Sequence, residues 1–114
     1  MMEYDRRPWG EYWVLEDAET HKVKRIQVKP GGRLSLQYHF KRAEVWTIVS
    51  GIGTITINDS IRDFGVGEVA QIPQGAHHRI ENRTMEPVVF IEVQYGDYFG
   101  EDDIVRIEDD YHRS

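Results

Sequence analysis

Leu34-Ser35-Leu36-Gln37-Tyr38-His39 and Glu44-Val45-Trp46-Thr47-Ile48-Val49 are two runs rich in β-branched, aliphatic and aromatic residues, separated by the break Phe40-Lys41-Arg42-Ala43. Side chains two apart on a strand leave the same face. Gln37 and His39 therefore share one face of the first run, and Glu44, Trp46 and Ile48 share one face of the second. Similar segments lie on both sides: Glu11 to Leu15, Val23 to Val28, Gly53 to Asn58, Val69 to Ile72, His78 to Glu81, Val88 to Tyr95 and Ile104 to Ile107. Pro30-Gly31-Gly32, Asn58-Asp59-Ser60, Gly65-Val66-Gly67 and Pro73-Gln74-Gly75 supply turns between them. No stretch keeps a 3.6-residue apolar period. Many short strands with regular turn signals predict an all-β sandwich or barrel, of which the jelly roll is one form.

At 114 residues and 13.4 kDa the chain is one domain, residues 1–114, with residues 1–10 expected as an N-terminal arm. Its longest unbroken aliphatic or aromatic run is Val88-Val89-Phe90-Ile91, far short of the ~20 residues that cross a bilayer. The first ten residues are charged and lack the apolar core of a signal peptide. With no cysteine, disulfides, Cys-ligated zinc, iron–sulfur clusters and thiol catalysis are excluded, and a cytoplasmic location is the expectation.

A net charge of −6 argues against a general nucleic-acid binder, which neutralises phosphates with excess Lys and Arg. The charge is unevenly placed. Between Thr20 and Ala43 stand seven basic residues, Lys22, Lys24, Arg25, Lys29, Arg33, Lys41 and Arg42, and no acidic one. From Asp97 onward the balance is acidic. A basic field on an acidic protein suits a small anionic ligand; the alternative is two solvated faces that attract each other.

The polar residues fall into two strings, Gly31-x5-Gln37-x-His39-x4-Glu44-x6-Gly51 and Gly67-x5-Pro73-x-Gly75-x2-His78-x3-Asn82. Folding the strands together can converge Gln37, His39, Glu44 and His78: two imidazoles, a carboxylate and an amide oxygen. That set suits one divalent metal per chain, zinc, manganese, iron, cobalt or nickel. Taken singly, either histidine has an alternative as a hydrogen-bonded residue at a barrel mouth.

The two strings resemble the paired motifs of the cupin superfamily, with Gln37 where the pattern has histidine. Further stretches narrow the resemblance: Arg7-Pro8-Trp9-Gly10-Glu11-Tyr12, Leu34-Ser35-Leu36-Gln37, Arg42-Ala43-Glu44-x-Trp46, His78-Arg79-Ile80-Glu81-Asn82 and Asp102-Asp103-Ile104-Val105-Arg106. They are similar to the type II mannose-6-phosphate isomerase domain, which usually follows a mannose-1-phosphate guanylyltransferase domain in one bifunctional chain. The resemblance covers essentially all 114 residues, so the domain is expected to stand alone. It implies a cupin double-stranded β-helix and metal-dependent interconversion of mannose 6-phosphate and fructose 6-phosphate through an enediolate. Three family histidines are replaced, by Phe40, Lys41 and Val45. If any of them shuttles protons or touches substrate, the expectation is that the reaction is lost or the site has turned to a related ligand.

Glu92 is the candidate base: it interrupts an apolar strand in phase with Phe90 and Gln94, the alternative being a surface carboxylate on an edge strand. Lys24, Arg25, Arg42 and Arg106 are the candidate phosphate ligands, with Arg79 second because its neighbour His78 faces the metal. Trp9, Trp13 and Trp46 read as packing. Competing functions are a non-catalytic, metal-containing sugar-phosphate binder and a non-haem iron oxygenase built on His39, Glu44 and His78. A homodimer is expected, through an outer sheet face carrying Leu34, Leu36, Tyr38, Val45 and Val49.

Overall fold

The computed structural model describes residues 3–100 and 102–108. Eleven strands follow in chain order: β1 Glu3–Arg7, β2 Gly10–Asp17, β3 His21–Val28, β4 Leu36–Tyr38, β5 Arg42–Ser50, β6 Gly53–Ile57, β7 Ser60–Phe64, β8 Val69–Ile72, β9 His78–Glu81, β10 Val88–Gly96 and β11 Val105–Glu108. No helix occurs among the described residues, so none is long and apolar enough to cross a membrane. The strands form a six-stranded sheet, β1-β2-β3-β10-β5-β8, facing a five-stranded sheet, β11-β4-β9-β6-β7. All pairings are antiparallel, and the result is the expected jelly roll.

Residues opposite each other in a ladder leave the same face, so register shows what looks into the space between the sheets. Across the six-stranded sheet, Tyr12, Ile26, Phe90 and Ile48 form one inward row. Val14, Lys24, Glu92, Trp46 and Ala70 form the next, and Lys22, Gln94, Glu44 and Ile72 the one beyond. Ile55, Ile80 and Phe64 close the apolar end from the other sheet, with Trp9 and Leu34 packed in from loops. One end of the sandwich is thus dry core and the other is polar.

Several expectations change here. Glu3–Arg7, expected within an arm, is an edge strand paired to β2, and Trp9 is core. β7 went unrecognised because Ser60-Ile61-Arg62-Asp63-Phe64 offers only Phe64 to the core. Leu34, expected to point outward with Leu36 and Tyr38, is buried among core residues. Alternation does not reach it: it precedes β4, and its amide bonds the Ile80 carbonyl. The proposed dimer face also divides. Leu36 and Tyr38 lie on the five-stranded sheet and Val45 and Val49 on the six-stranded one, because the chain crosses between sheets from β4 to β5.

Asn82, the last residue of the second string, is a structural tie. Its Nδ2 donates to the carbonyls of Val28 (3.1 Å) and Glu86 (2.7 Å), and its Oδ1 accepts from the Thr84 amide and hydroxyl. It is buried, so its loss strands several polar groups away from water. Asn82→Ala should cost about 2–4 kcal/mol in a denaturant titration. Affinity for an added divalent metal should be unchanged in the fraction that remains folded.

Candidate metal centre

His39 directly follows β4, Glu44 lies on β5 and His78 begins β9; all three are buried, with ligand atoms within 4.8 Å of one another. The Nδ1 of His39 lies 2.7 Å from the Asp103 carbonyl and that of His78 3.0 Å from the Ala76 carbonyl. A carbonyl only accepts, so each Nδ1 carries a proton and each Nε2 is turned to the other side of its ring. These face the carboxylate: His39 Nε2 is 3.5 Å from Glu44 Oε2, and His78 Nε2 is 3.8 Å from Glu44 Oε1. Gln37 pairs in register with His78 on one side and Arg106 on the other, so all three side chains leave the sheet on the same face. Gln37, His39 and Glu44 line one cavity, together with Lys24, Glu92 and Trp46.

This donor set fits a borderline divalent ion. Two imidazoles anchored by carbonyls and one ionised carboxylate already converge, as a metal site of this kind requires. One group must yield. Arg42 Nε donates to Glu44 Oε2 at 2.8 Å, and its Nη2 lies 3.1 Å from His39 Nε2, so the guanidinium holds both atoms that a metal would take.

Two carboxyls share this interior, and they ionise very differently. Burial raises the pKa of Glu44, but the neighbouring His78 and Arg42, a hydrogen bond with Glu92 and the His39 ring together hold it well below the usual carboxylate range. Glu92 is pushed up to about 8, first by burial and then by the negative charge of Glu44, with Lys24 opposing. At neutral pH the pair therefore keeps one proton, on Glu92. Burial, ahead of the opposing pull of Glu44, also lowers His39 below its ordinary 6.5, keeping it neutral.

Trp46 fixes the pair. Its indole N–H lies 2.9 Å from Glu44 Oε1 and 3.0 Å from Glu92 Oε1, and its ring meets that of His78 edge-on at 5.6 Å. Gln94 Nε2 donates to Glu92 Oε2 at 2.7 Å, completing a row of buried polar groups.

Of the candidate phosphate ligands, Lys24, Arg42 and Arg106 line the cavity, and Lys24 lies 4.7 Å over the Tyr12 ring. Arg25 does not join them: it leaves the opposite face of β3 and stacks on Trp13 at 4.5 Å. Alternation carries the signal, since adjacent strand residues Lys24 and Arg25 cannot both face inward. Arg79, as expected, points away, bonding Glu108 and the Leu34 carbonyl. Glu92 is on neither an edge strand nor the surface; β10 is flanked by β3 and β5. Arg7, Trp46 and Asp103 were missed. Arg7 also lines the cavity. Asp103 holds His39 with its carbonyl and the Phe40 and Lys41 amides with its carboxylate.

Phe40, Lys41 and Val45, the expected departures from the family pattern, do not line the cavity. Phe40 and Lys41 are exposed, and Val45 lies on the outer face of β5 beside Gln71 and Val93. Their replacement removes no group from the interior.

Glu92 has a signature in stability. Unfolded, it ionises near 4.5; folded, near 8. The folded state holds an extra proton between those values, so this group makes stability fall as pH rises through that window. In thermal melts of chelator-treated protein, stability relative to the Glu92→Gln variant should fall as pH rises from about 5 to 8, the opposite slope from His39 being common to both.

Residues 2–109 match the family model of the mannose-6-phosphate isomerase C-terminal domain. The chain is 48% identical over 107 residues to the mannose-1-phosphate guanylyltransferase ManC of Salmonella typhimurium, covering 94% of this chain and 22% of that protein. It is 47% identical over 108 residues to the xanthan biosynthesis protein XanB of Xanthomonas campestris, covering 95% of this chain and 23% of the other. It thus spans less than a quarter of the length of these curated relatives. Among solved structures, a double-stranded β-helix protein from Klebsiella pneumoniae superposes with a TM-score of 0.74 at 21% identity, over 83% of this chain and 81% of that one. Bacillus subtilis oxalate decarboxylase, studied for its Mn(II) centres, superposes with a TM-score of 0.76 at 23% identity, over 90% of this chain and 29% of its own. The fold is that of the double-stranded β-helix cupins, and the chain belongs to the mannose-6-phosphate isomerase C-terminal domain family.

Proposed function

We infer that this domain interconverts mannose 6-phosphate and fructose 6-phosphate with one divalent metal held by Gln37, His39, Glu44 and His78. The observation that carries this reading is the convergence of two imidazoles and an ionised carboxylate within 4.8 Å, where Gln37, His39 and Glu44 line one cavity with a buried carboxyl that ionises near 8. Family membership points the same way.

The reaction moves a proton from C2 of the open-chain aldose to C1, and a second proton from one substrate oxygen to the other. A divalent cation at the trio would supply positive charge beside oxygens that become anionic. Glu92 is the group to carry the carbon-bound proton: its carboxylate is a stronger base than an ordinary one, and its acid form returns the proton. Trp46 and Gln94 fix both of its oxygens, so it cannot rotate away. Lys24, Arg106 and Arg7 place positive charge around the same cavity for the phosphate, and Arg42 joins them once it yields His39 and Glu44. Zinc, manganese, iron, cobalt and nickel are all compatible with the donors; the Mn(II) centres of the oxalate decarboxylase relative favour testing manganese first. The absence of cysteine agrees with a cytoplasmic setting.

The ion pair of Arg42 with Glu44 favours one other reading, a domain that binds the sugar phosphate without turning it over. A coupled assay with a panel of divalent metals separates the two. The expected outcome is metal-dependent turnover of mannose 6-phosphate and none of free mannose. Thermal stabilisation by mannose 6-phosphate without turnover selects the binding reading, and iron-dependent oxygen consumption selects an oxygenase. Glu92→Gln should lower kcat by about 10²-fold or more while metal stoichiometry stays at one. His78→Ala should lose the metal.

A further inference from the structure

Arg42 opens β5 and lines the cavity with only 5% of its surface exposed, so its guanidinium is a charge taken out of water. It makes two contacts inside the ligand set: Nε donates to Glu44 Oε2 at 2.8 Å, and Nη2 lies 3.1 Å from His39 Nε2. An arginine only donates, so His39 Nε2 accepts. That ring nitrogen has a single lone pair, and a hydrogen-bond donor and a metal ion cannot both use it. Glu44 Oε2 has two lone pairs; there the conflict is between two cations beside one oxygen with no water to separate them.

The same guanidinium answers the needs of the carboxylate. Among the described residues, three basic groups form ion pairs with Glu44: His39, Arg42 and His78. The imidazoles are charged only when protonated, whereas Arg42 is charged throughout. A buried carboxylate without a charged partner is strongly destabilising. Arg42 therefore gives the empty site the positive charge that a bound ion would give the full one. An acceptor outside the ligand set is already in reach of the group, since Nη1 lies 3.4 Å from the Phe99 carbonyl.

On the reading that a divalent ion sits among His39, Glu44 and His78, we propose that Arg42 is the resident counter-cation of the empty site, which the ion must expel in order to bind. One side chain then has two effects of opposite sign: it stabilises the metal-free domain and it weakens the hold of that domain on the metal. Binding becomes an exchange of one cation for another, and the interior is never left with an unpaired carboxylate. A residue that only props the ligands in place would behave differently, because its removal weakens metal binding.

Titration calorimetry of chelator-treated protein with manganese(II) alone, joined to thermal melts with and without the ion, tests this on wild type, Arg42→Met and Arg42→Lys. Arg42→Met keeps the apolar stem and removes the fork. It should bind one ion per chain about 10-fold more tightly than wild type or better, the loss of a charged hydrogen bond no longer opposing the ion. Without metal it should melt about 10 °C or more below wild type, since Glu44 keeps no permanent counter-charge. Saturating manganese should recover most of that difference. Arg42→Lys keeps the charge without the fork and should fall between the two in affinity; it decides the matter if Arg42→Met does not fold without metal. Affinity that is unchanged or weaker in the folded variants, with one ion still bound, would overturn the proposal and make Arg42 a prop for its neighbours. Failure of wild type and both variants to bind any ion would overturn the metal reading itself, and the proposal with it.

Discussion

Glu44 is an ionised carboxylate with 2% of its surface in contact with water. Moving such a group out of water costs several kcal/mol even after the protein relaxes. The surrounding structure supplies what water would have given: an indole N–H on one oxygen, a guanidinium N–H on the other, and two imidazoles at the flanks. A second negative charge nearby is disfavoured, and Glu92 accordingly keeps its proton up to about pH 8. The two carboxyls are alike in chemistry and opposite in state because one has positive neighbours and the other chiefly has Glu44.

That electrostatic demand explains which strands carry which residues. Glu44 and Trp46 come from β5, Glu92 and Gln94 from β10, Lys24 from β3, all in consecutive inward positions of one sheet. The two imidazoles come from the facing sheet and its approach loop. Neither sheet holds the site alone, so the sandwich spacing itself sets the distance between Glu44 and its histidines. The apolar end, from Phe90 and Ile48 to Ile80 and Val88, keeps that spacing rigid.

Much of this was legible in the residues. Alternation placed Gln37, His39, Glu44 and Trp46 correctly, because each lies in or beside a regular strand. Alternation tells which face a residue takes but not which sheet its strand joins, and the expected dimer surface mixed β4 with β5 for that reason. It also fails where the backbone is irregular, as at Leu34. β1 and β7 were hidden because an edge strand with few core contacts needs no apolar pattern. The contribution of Arg7 follows from β1, so it was hidden with it. Trp46 looked like packing because its ring does pack, against Phe90 at 4.9 Å; its polar duty resides in one N–H. Nothing local announces that Asp103 serves His39, since the partners stand 64 residues apart.

That separation bears on how the molecule is made. The Nδ1 of His39 finds its carbonyl only when the chain from Asp103 has returned, and β11 then pairs with β4, adding Arg106 beside Gln37. A ribosome that has released His39 has most of the domain still to deliver. His39 is therefore oriented by a segment that emerges 64 residues after it, and its anchor is missing until that segment has been made. Ladders that join strands so distant in sequence also fold slowly compared with local ones. Until the two sheets close on each other, Glu44 is a hydrated carboxylate like any other.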